Sequence, residues 1–241
     1  MNSVTTSILR RLAGFHPLAT ALIIFLITNI AIFTLLSVWP PLLGWLWLSA
    51  NRPWGIVTSA FTHVDTNHIM NNIEGFVLAV LFFVLINLNN PRKIRRRLSR
   101  RFLLLVFMAG IGANLLEYPL ALENPGDASW GASGIVYGAL GVVLSSAIQM
   151  LPTHINVIMK ERRRWIGRGR RQRILKFNRG SLKTLPSLLA FSLFISILLM
   201  IIFDMGSFLN VAPDVDVFAH GVGFLLGFIG FTAWQFIGRE S

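Results

Sequence analysis

The chain has 241 residues, of which 54% are hydrophobic and 13% are charged, a composition that excludes a soluble domain of this size. We therefore interpret it as an integral membrane protein. Its formal net charge is +12, and it has no cysteine, which excludes disulfides and any metal or nucleophile site built on cysteine.

Six apolar runs, each about 20 residues long and poor in charges, predict six transmembrane helices. The expected fold class is an all-α membrane protein, a bundle in which residues 17–238 form a single domain. Residues 1–16 are a short lead-in and residues 239–241 a short tail. The predicted spans are residues 17–38, 68–88, 102–122, 131–151, 185–204 and 218–238.

The basic residues are distributed unequally between the connections that join these spans. Two precede span one, seven lie between spans two and three, eleven lie between spans four and five, and one follows span six. The other connections hold Arg52 alone, so one arrangement places 21 of the 22 Lys and Arg residues in the cytoplasm. The positive-inside rule therefore predicts that both termini are cytoplasmic.

The basic connection of residues 152–183 holds eleven of these cations, with Glu161 as its only acid. We predict a cytoplasmic loop that contacts anionic lipid headgroups, with an amphipathic helix on the inner leaflet as one possible form. Because the topology explains the charge, no nucleic acid is expected as a partner.

The outer connection between spans one and two is rich in tryptophan, which favours the headgroup zone of a membrane. Four of the seven tryptophans lie in it, so we predict a loop that lies in the outer interface. They are Trp39, Trp45, Trp47 and Trp54.

Span two opens with polar residues, which are costly in a membrane helix and mark either a site or a polar contact between helices. His68 and Asn72 are four residues apart and share one helix face, while His63 comes just before the span. Asn71 points in a nearby direction around the helix, so spacing alone does not show whether Asn71 or Asn72 acts together with His68. Glu74 lies further round the helix and is expected to make a structural hydrogen bond.

Span four begins with a serine among glycines. Ser133 lies between Gly131 and Gly134, and Gly138 follows four residues after Gly134. Small residues at this spacing let two membrane helices approach closely, so the stretch by itself indicates helix packing.

Span six opens with His220, followed by Gly223 and Gly227, a second pattern of closely packed helices. Spans two, four and six run in the same direction, which places His68, Ser133 and His220 at similar depth. A rise of about 1.5 Å per residue puts them on the order of 5 to 10 Å below the outer boundary. The glycines would let Ser133 and His220 reach hydrogen-bond distance as a nucleophile and a general base.

Together these residues resemble the rhomboid family of intramembrane serine proteases, in its minimal six-span, prokaryotic-type form. The resemblance covers essentially the whole chain, although Gly55 stands where many members have arginine. Trp54 and Thr58 also match the approach to span two. The chief matches are Gly131-Ala-Ser-Gly134 with Tyr137, Ala219-His220 with Gly223 and Gly227, and His63, His68 and Asn72 at the spacing His-x4-His-x3-Asn.

The resemblance implies an endopeptidase that cleaves transmembrane segments of membrane proteins near the outer leaflet. Ser133 would be the nucleophile and His220 the general base, with Tyr137 packed against the imidazole. His68, Asn72 and the Ser133 backbone N–H would stabilise the oxyanion. It further implies a prokaryotic cell membrane, a site open to the extracytoplasmic side, and no metal or organic cofactor. Supporting roles would fall to Gly131, Gly134, His63, Gly223 and Gly227.

Two other classes of protein share parts of this pattern. A transporter or proton relay would place polar groups near the midplane or across both leaflets, whereas here they cluster in one leaflet. A catalytically inactive relative that binds membrane clients would be expected to lack Ser133 or His220, and both are present.

Overall fold

The computed structural model describes residues 12–124, 126, 128–166, 170–203, 206 and 217–237. Within this part of the chain, six helices are long and apolar enough to cross a membrane, as predicted. Two further short helices lie in the first outer connection. The α-helices are α1 (His16–Val38), α2 (Leu43–Leu46), α3 (Gly55–Thr58), α4 (Thr66–Asn87), α5 (Arg92–Glu123), α6 (Ser133–Ile166), α7 (Arg170–Phe203) and α8 (Val217–Ile237).

Three helices extend beyond the predicted spans. Helix α5 already begins at Arg92, and α6 and α7 take up most of residues 152–183, so this connection is largely helical, which is the helical alternative left open above. Lys and Arg are good helix formers, so the fall in hydropathy marks the end of the apolar run and not the end of the helix. Pro152 and Pro186 lie inside α6 and α7 without ending them, as membrane helices tolerate.

Helix α6 forms the centre of the bundle. It packs against α4, α5, α7 and α8, and 72% of its most apolar stretch is buried, against 17% for that of α1 or α7. Side chains such as Ile135, Val142 and Val143 fill this core. The first residue of α6 is Ser133, so the central helix places the serine at one end of the bundle core.

The first outer connection projects tryptophan side chains away from the protein. Trp39, Trp45 and Trp54 are 55%, 63% and 49% exposed, as expected for a loop in the membrane interface. Trp47 instead turns inward and stacks on Trp130, with ring centroids 5.9 Å apart.

Candidate active site

A sharp turn brings the chain into α6. Gly131 has a φ of +121°, a conformation that favours glycine, and its N–H donates to the Ser59 carbonyl oxygen at 2.9 Å. A Cβ atom on Gly131 would lie 2.5 Å from His68 Nε2, so a side chain there would displace the His68 ring. The turn ends at Ser133, which is half-buried at the start of α6.

Glycines bring α8 into backbone contact with α6. A Cβ atom on Gly223 would lie 2.5 Å from the Gly134 carbonyl oxygen, and one on Gly227 would collide with the Gly138 carbonyl oxygen. Glycine on both helices therefore permits an approach that any side chain would prevent.

This contact places His220 against the first turn of α6. The imidazole is 5% exposed and stacks on the Tyr137 ring, with centroids 4.1 Å apart and an interplanar angle of 15°. Tyr137 lies one helical turn after Ser133, on the same face of α6. Two helices thus bring the serine, the tyrosine and the histidine to one end of their interface.

The start of α4 lies on the other side of the Gly131 turn. The Asp65 side chain accepts a hydrogen bond from the His68 backbone N–H at 2.8 Å, which caps the helix and fixes where it begins. His68 Nε2 and Asn72 Nδ2 would lie 2.5 and 3.7 Å from a Cβ atom on Gly131. Asn72 is buried and Asn71 is exposed, so of the two it is Asn72 that lies near the Gly131 turn.

His63 is more central than its position in the sequence suggests. It is 1% exposed; its Nε2 lies 3.0 Å from Asn72 Nδ2 and accepts from the Ala132 N–H at 3.4 Å. Because both partners are N–H groups, Nε2 acts as the acceptor and the ring proton lies on Nδ1. His63 thereby connects α4 to the backbone just before Ser133. Its only signal in the sequence was the spacing to His68 and Asn72.

The imidazole of His63 is held in its neutral form. Burial and the neighbouring His68, whose ring centroid is 5.0 Å away, lower the pKa of His63 from 6.5 to about 4. At neutral pH, Nε2 therefore keeps the lone pair that accepts the two hydrogen bonds.

The first outer connection is fastened by its own hydrogen bonds. Trp54 Nε1 donates to the Trp45 carbonyl at 2.7 Å, and the Thr58 hydroxyl donates to the Leu46 carbonyl at 2.6 Å. A Cβ atom on Gly55 would lie 2.5 Å from the Leu48 Cα, so glycine at this position lets the two segments touch.

Two further contacts tie this connection to the site. The Asn114 side chain of α5 donates to the Ile56 carbonyl and the Ser59 hydroxyl at 2.9 and 3.0 Å. Leu48 and Ser129 exchange backbone hydrogen bonds of 2.9 and 3.1 Å, which join the first outer connection to the segment before Ser133. The loop therefore forms part of the frame around the serine.

One side chain of α4 does not behave as expected. Glu74, predicted to make a structural hydrogen bond, is exposed on the outer surface of the helix. Among the described residues, its carboxyl group has neither a hydrogen-bond partner nor an ion-pair partner.

The family model for the Rhomboid domain matches residues 50–236 of the chain. No curated protein and no solved structure matches the chain. The matched range holds every residue that surrounds the Gly131 turn, from His63 through Ser133 to His220. The chain belongs to the rhomboid family, most of whose members are intramembrane serine proteases.

Proposed function

We propose that the protein is an intramembrane serine endopeptidase that cleaves transmembrane segments of membrane proteins near the outer leaflet. The observation that carries the proposal is the stacking of His220 on Tyr137, one helical turn after Ser133. It supports a dyad in which a hydroxyl nucleophile and a histidine base lie at the same end of the bundle.

The dyad would act by acyl transfer. His220 takes the proton of the Ser133 hydroxyl while its oxygen attacks the scissile carbonyl carbon, and a tetrahedral oxyanion forms. The imidazolium then gives the proton to the leaving amine, and the C–N bond breaks to leave an acyl-enzyme. Once the amine has left, His220 takes a proton from water as the water oxygen attacks the ester carbonyl, and a second tetrahedral intermediate forms. The bond between this carbon and the serine oxygen then breaks, His220 returns the proton to that oxygen, and the carboxylic acid product leaves.

Tyr137 would take the orienting role that a carboxylate has in a triad. Its ring lies nearly parallel to the imidazole, which restricts rotation of the His220 side chain. An imidazole held in place loses less entropy when it reaches the geometry for proton transfer.

The donors around Gly131 would stabilise the oxyanion. His68 Nε2 and Asn72 Nδ2 both face the Gly131 turn, two residues before Ser133. The Ser133 N–H belongs to the first turn of α6, whose N-terminus adds a favourable partial positive charge. Each such donor is typically worth a few kcal/mol in the transition state.

The membrane sets the remaining conditions. In the N-in, C-in topology that the basic residues favour, the site opens to the extracytoplasmic side of a prokaryotic cell membrane. The basic residues at the other end would contact anionic headgroups. A helical peptide bond is shielded by its own hydrogen bonds, so suitable substrates are segments that unwind easily near their outer end.

The test is cleavage of a purified transmembrane substrate in proteoliposomes. We expect the wild-type protein to cut it and the Ser133→Ala and His220→Ala forms to show no cleavage. Ser145→Ala is the matched control, because Ser145 is a buried serine of the same helix that bonds to the Thr232 hydroxyl. A fluorophosphonate probe should label Ser133 alone.

Equal cleavage by the wild-type and both dyad variants would overturn the proposal. Binding of the substrate without any cleavage by the folded wild-type protein would instead favour a relative that binds membrane clients.

A further inference from the structure

The outward face of α4 carries a polar stripe, which we define as Asn67, Asn71 and Glu74. The three residues follow one another at intervals of four and three residues, so they share one side of the helix, and all three are exposed. Among the described residues, none of their side chains makes a hydrogen bond or an ion pair. The stripe is therefore polar surface without a partner in the part of the chain that the structure describes.

The stripe reaches well into the apolar layer. Glu74 is eight residues after Thr66, where α4 begins, and a rise of about 1.5 Å per residue places it about 12 Å along the helix. The hydrocarbon core is about 30 Å thick, so Glu74 lies in its outer half. A carboxyl group that faces lipid at this depth is costly, and such groups normally have a partner.

The rest of the same face is apolar. Met70, Leu78 and Leu81 are exposed beside or below the polar stripe. Near the inner end of α4, α7 lies close, since the Asn89 side chain donates to the Ser187 hydroxyl at 3.2 Å. The exposed face is thus apolar enough for a membrane helix to pack on it, and Glu74 places one carboxyl group on it at a defined depth.

We propose that the polar stripe docks a transmembrane segment of the substrate that carries a hydrogen-bond donor, Lys, Arg, Asn or Gln, at the depth of Glu74. This inference rests on the proposed function. Carboxyl oxygens accept hydrogen bonds and attract cations, so the complement of Glu74 is a donor and preferably a cation. The stripe of a second copy of the chain would offer Glu74 only neutral amide donors, because α4 contains neither Lys nor Arg, so it lacks the preferred cation.

The stripe also fixes where the donor lies relative to the scissile bond. Asn71 directly precedes Asn72, and His68 is half-buried between the stripe and the core, so a segment on this face passes the oxyanion donors. Glu74 is four residues beyond the midpoint of His68 and Asn72, about 6 Å deeper along the helix. In a substrate that stays helical inward of the cleaved bond, the donor would therefore lie about four residues from that bond.

The experiment compares two transmembrane peptides that differ only at this position, one with Lys and one with Leu. Their binding to the Ser133→Ala protein in proteoliposomes is measured by energy transfer between a dye on the peptide and a dye on the protein. We expect the Lys peptide to bind about three- to tenfold more tightly, the range of a hydrogen bond between membrane helices.

The matched variants have Glu74→Leu or Leu78→Ala in the Ser133→Ala background. Glu74→Leu should remove the preference for Lys, and Leu78→Ala, one turn deeper on the same face, should keep it. Equal binding of the two peptides to the unaltered Glu74 form would overturn the proposal, and this comparison does not depend on the folding of a variant. Equal weakening of both peptides by Glu74→Leu would also overturn it.

Cleavage by the wild-type protein separates this inference from the proposed function. Glu74-dependent binding without cleavage would contradict the protease assignment alone. Cleavage of both peptides at equal rates, with equal binding, would contradict the docking assignment alone.

Discussion

At the scale of single residues, His63 holds together the groups around Ser133. Its Nε2 accepts from Asn72, whose amide faces the Gly131 turn, and from the Ala132 N–H. A neutral imidazole is needed for both contacts, because an imidazolium has no acceptor nitrogen. The charge state of one buried ring is therefore linked to the arrangement of the proposed oxyanion donors.

This link predicts a loss of stability in acid. The pKa of His63 is 6.5 in an unfolded chain and about 4 in the folded protein, so the unfolded state binds more protons between these values. The contribution is fully present above pH 6.5 and is lost as the pH falls towards 4, at a cost on the order of 3 kcal/mol.

Thermal unfolding in detergent between pH 7 and pH 4 measures this loss. A His63→Gln variant serves as the control and should be less sensitive to pH over the same range, since glutamine does not titrate. The same pH dependence in both proteins would contradict the assignment of the effect to His63.

At the scale of secondary structure, the contact between α6 and α8 positions the proposed dyad. Backbone atoms of Gly134 and Gly138 meet Gly223 and Gly227 without intervening side chains. Membrane helices gain no hydrophobic free energy from such a contact, so close packing itself supplies the stabilisation. The same approach sets the position of His220 relative to the first turn of α6.

We expect Gly227→Ala to separate these two helices. Its Cβ would collide with the Gly138 carbonyl oxygen, and overpacking of this kind typically costs about 1 to 3 kcal/mol. The matched control is Gly221→Ala on the same helix, because a Cβ there has no atom within 4 Å. The unfolding temperature and the rate of cleavage should both fall for Gly227→Ala and stay unchanged for Gly221→Ala. Equal effects of the two variants would contradict the packing argument.

At the scale of the whole molecule, polar contacts away from the site tie three helices together. The Ser187 hydroxyl of α7 lies 3.0 Å from His154 Nδ1 of α6 and 3.2 Å from Asn89 Nδ2, which follows α4. The Asn87 side chain donates to the Ser146 hydroxyl at 3.0 Å. Because His154 lies 21 residues after Ser133 on one continuous helix, this cluster is about 30 Å from the proposed dyad.

The separation predicts that Ser187→Ala affects stability and leaves the site intact. Loss of a buried hydrogen-bond partner costs about 1 to 3 kcal/mol. We expect a lower unfolding temperature but unchanged fluorophosphonate labelling of the folded protein at a permissive temperature. Leu188→Ala, an exposed neighbour, is the control and should change neither. Loss of labelling in folded Ser187→Ala protein would show that the two ends are coupled.

Several features could be predicted from the sequence because they depend on composition along the chain. The thickness of the hydrocarbon layer sets the length of an apolar run, so six spans could be counted without knowledge of their packing. The shared direction of spans two, four and six put His68, Ser133 and His220 at one depth. The family motifs then selected Asn72 over Asn71, a choice that helical spacing left open.

Only the tertiary structure decided which way side chains face and what they meet. His63 is buried against Asn72, and Glu74 is exposed. Whether a side chain is buried depends on whether another part of the protein packs against its side of the helix. The ends of α5, α6 and α7 also required the structure, since a helix continues past the apolar run wherever its residues favour helix. The sequence alone thus determined the membrane class, the spans and the candidate residues, and packing determined how those residues meet.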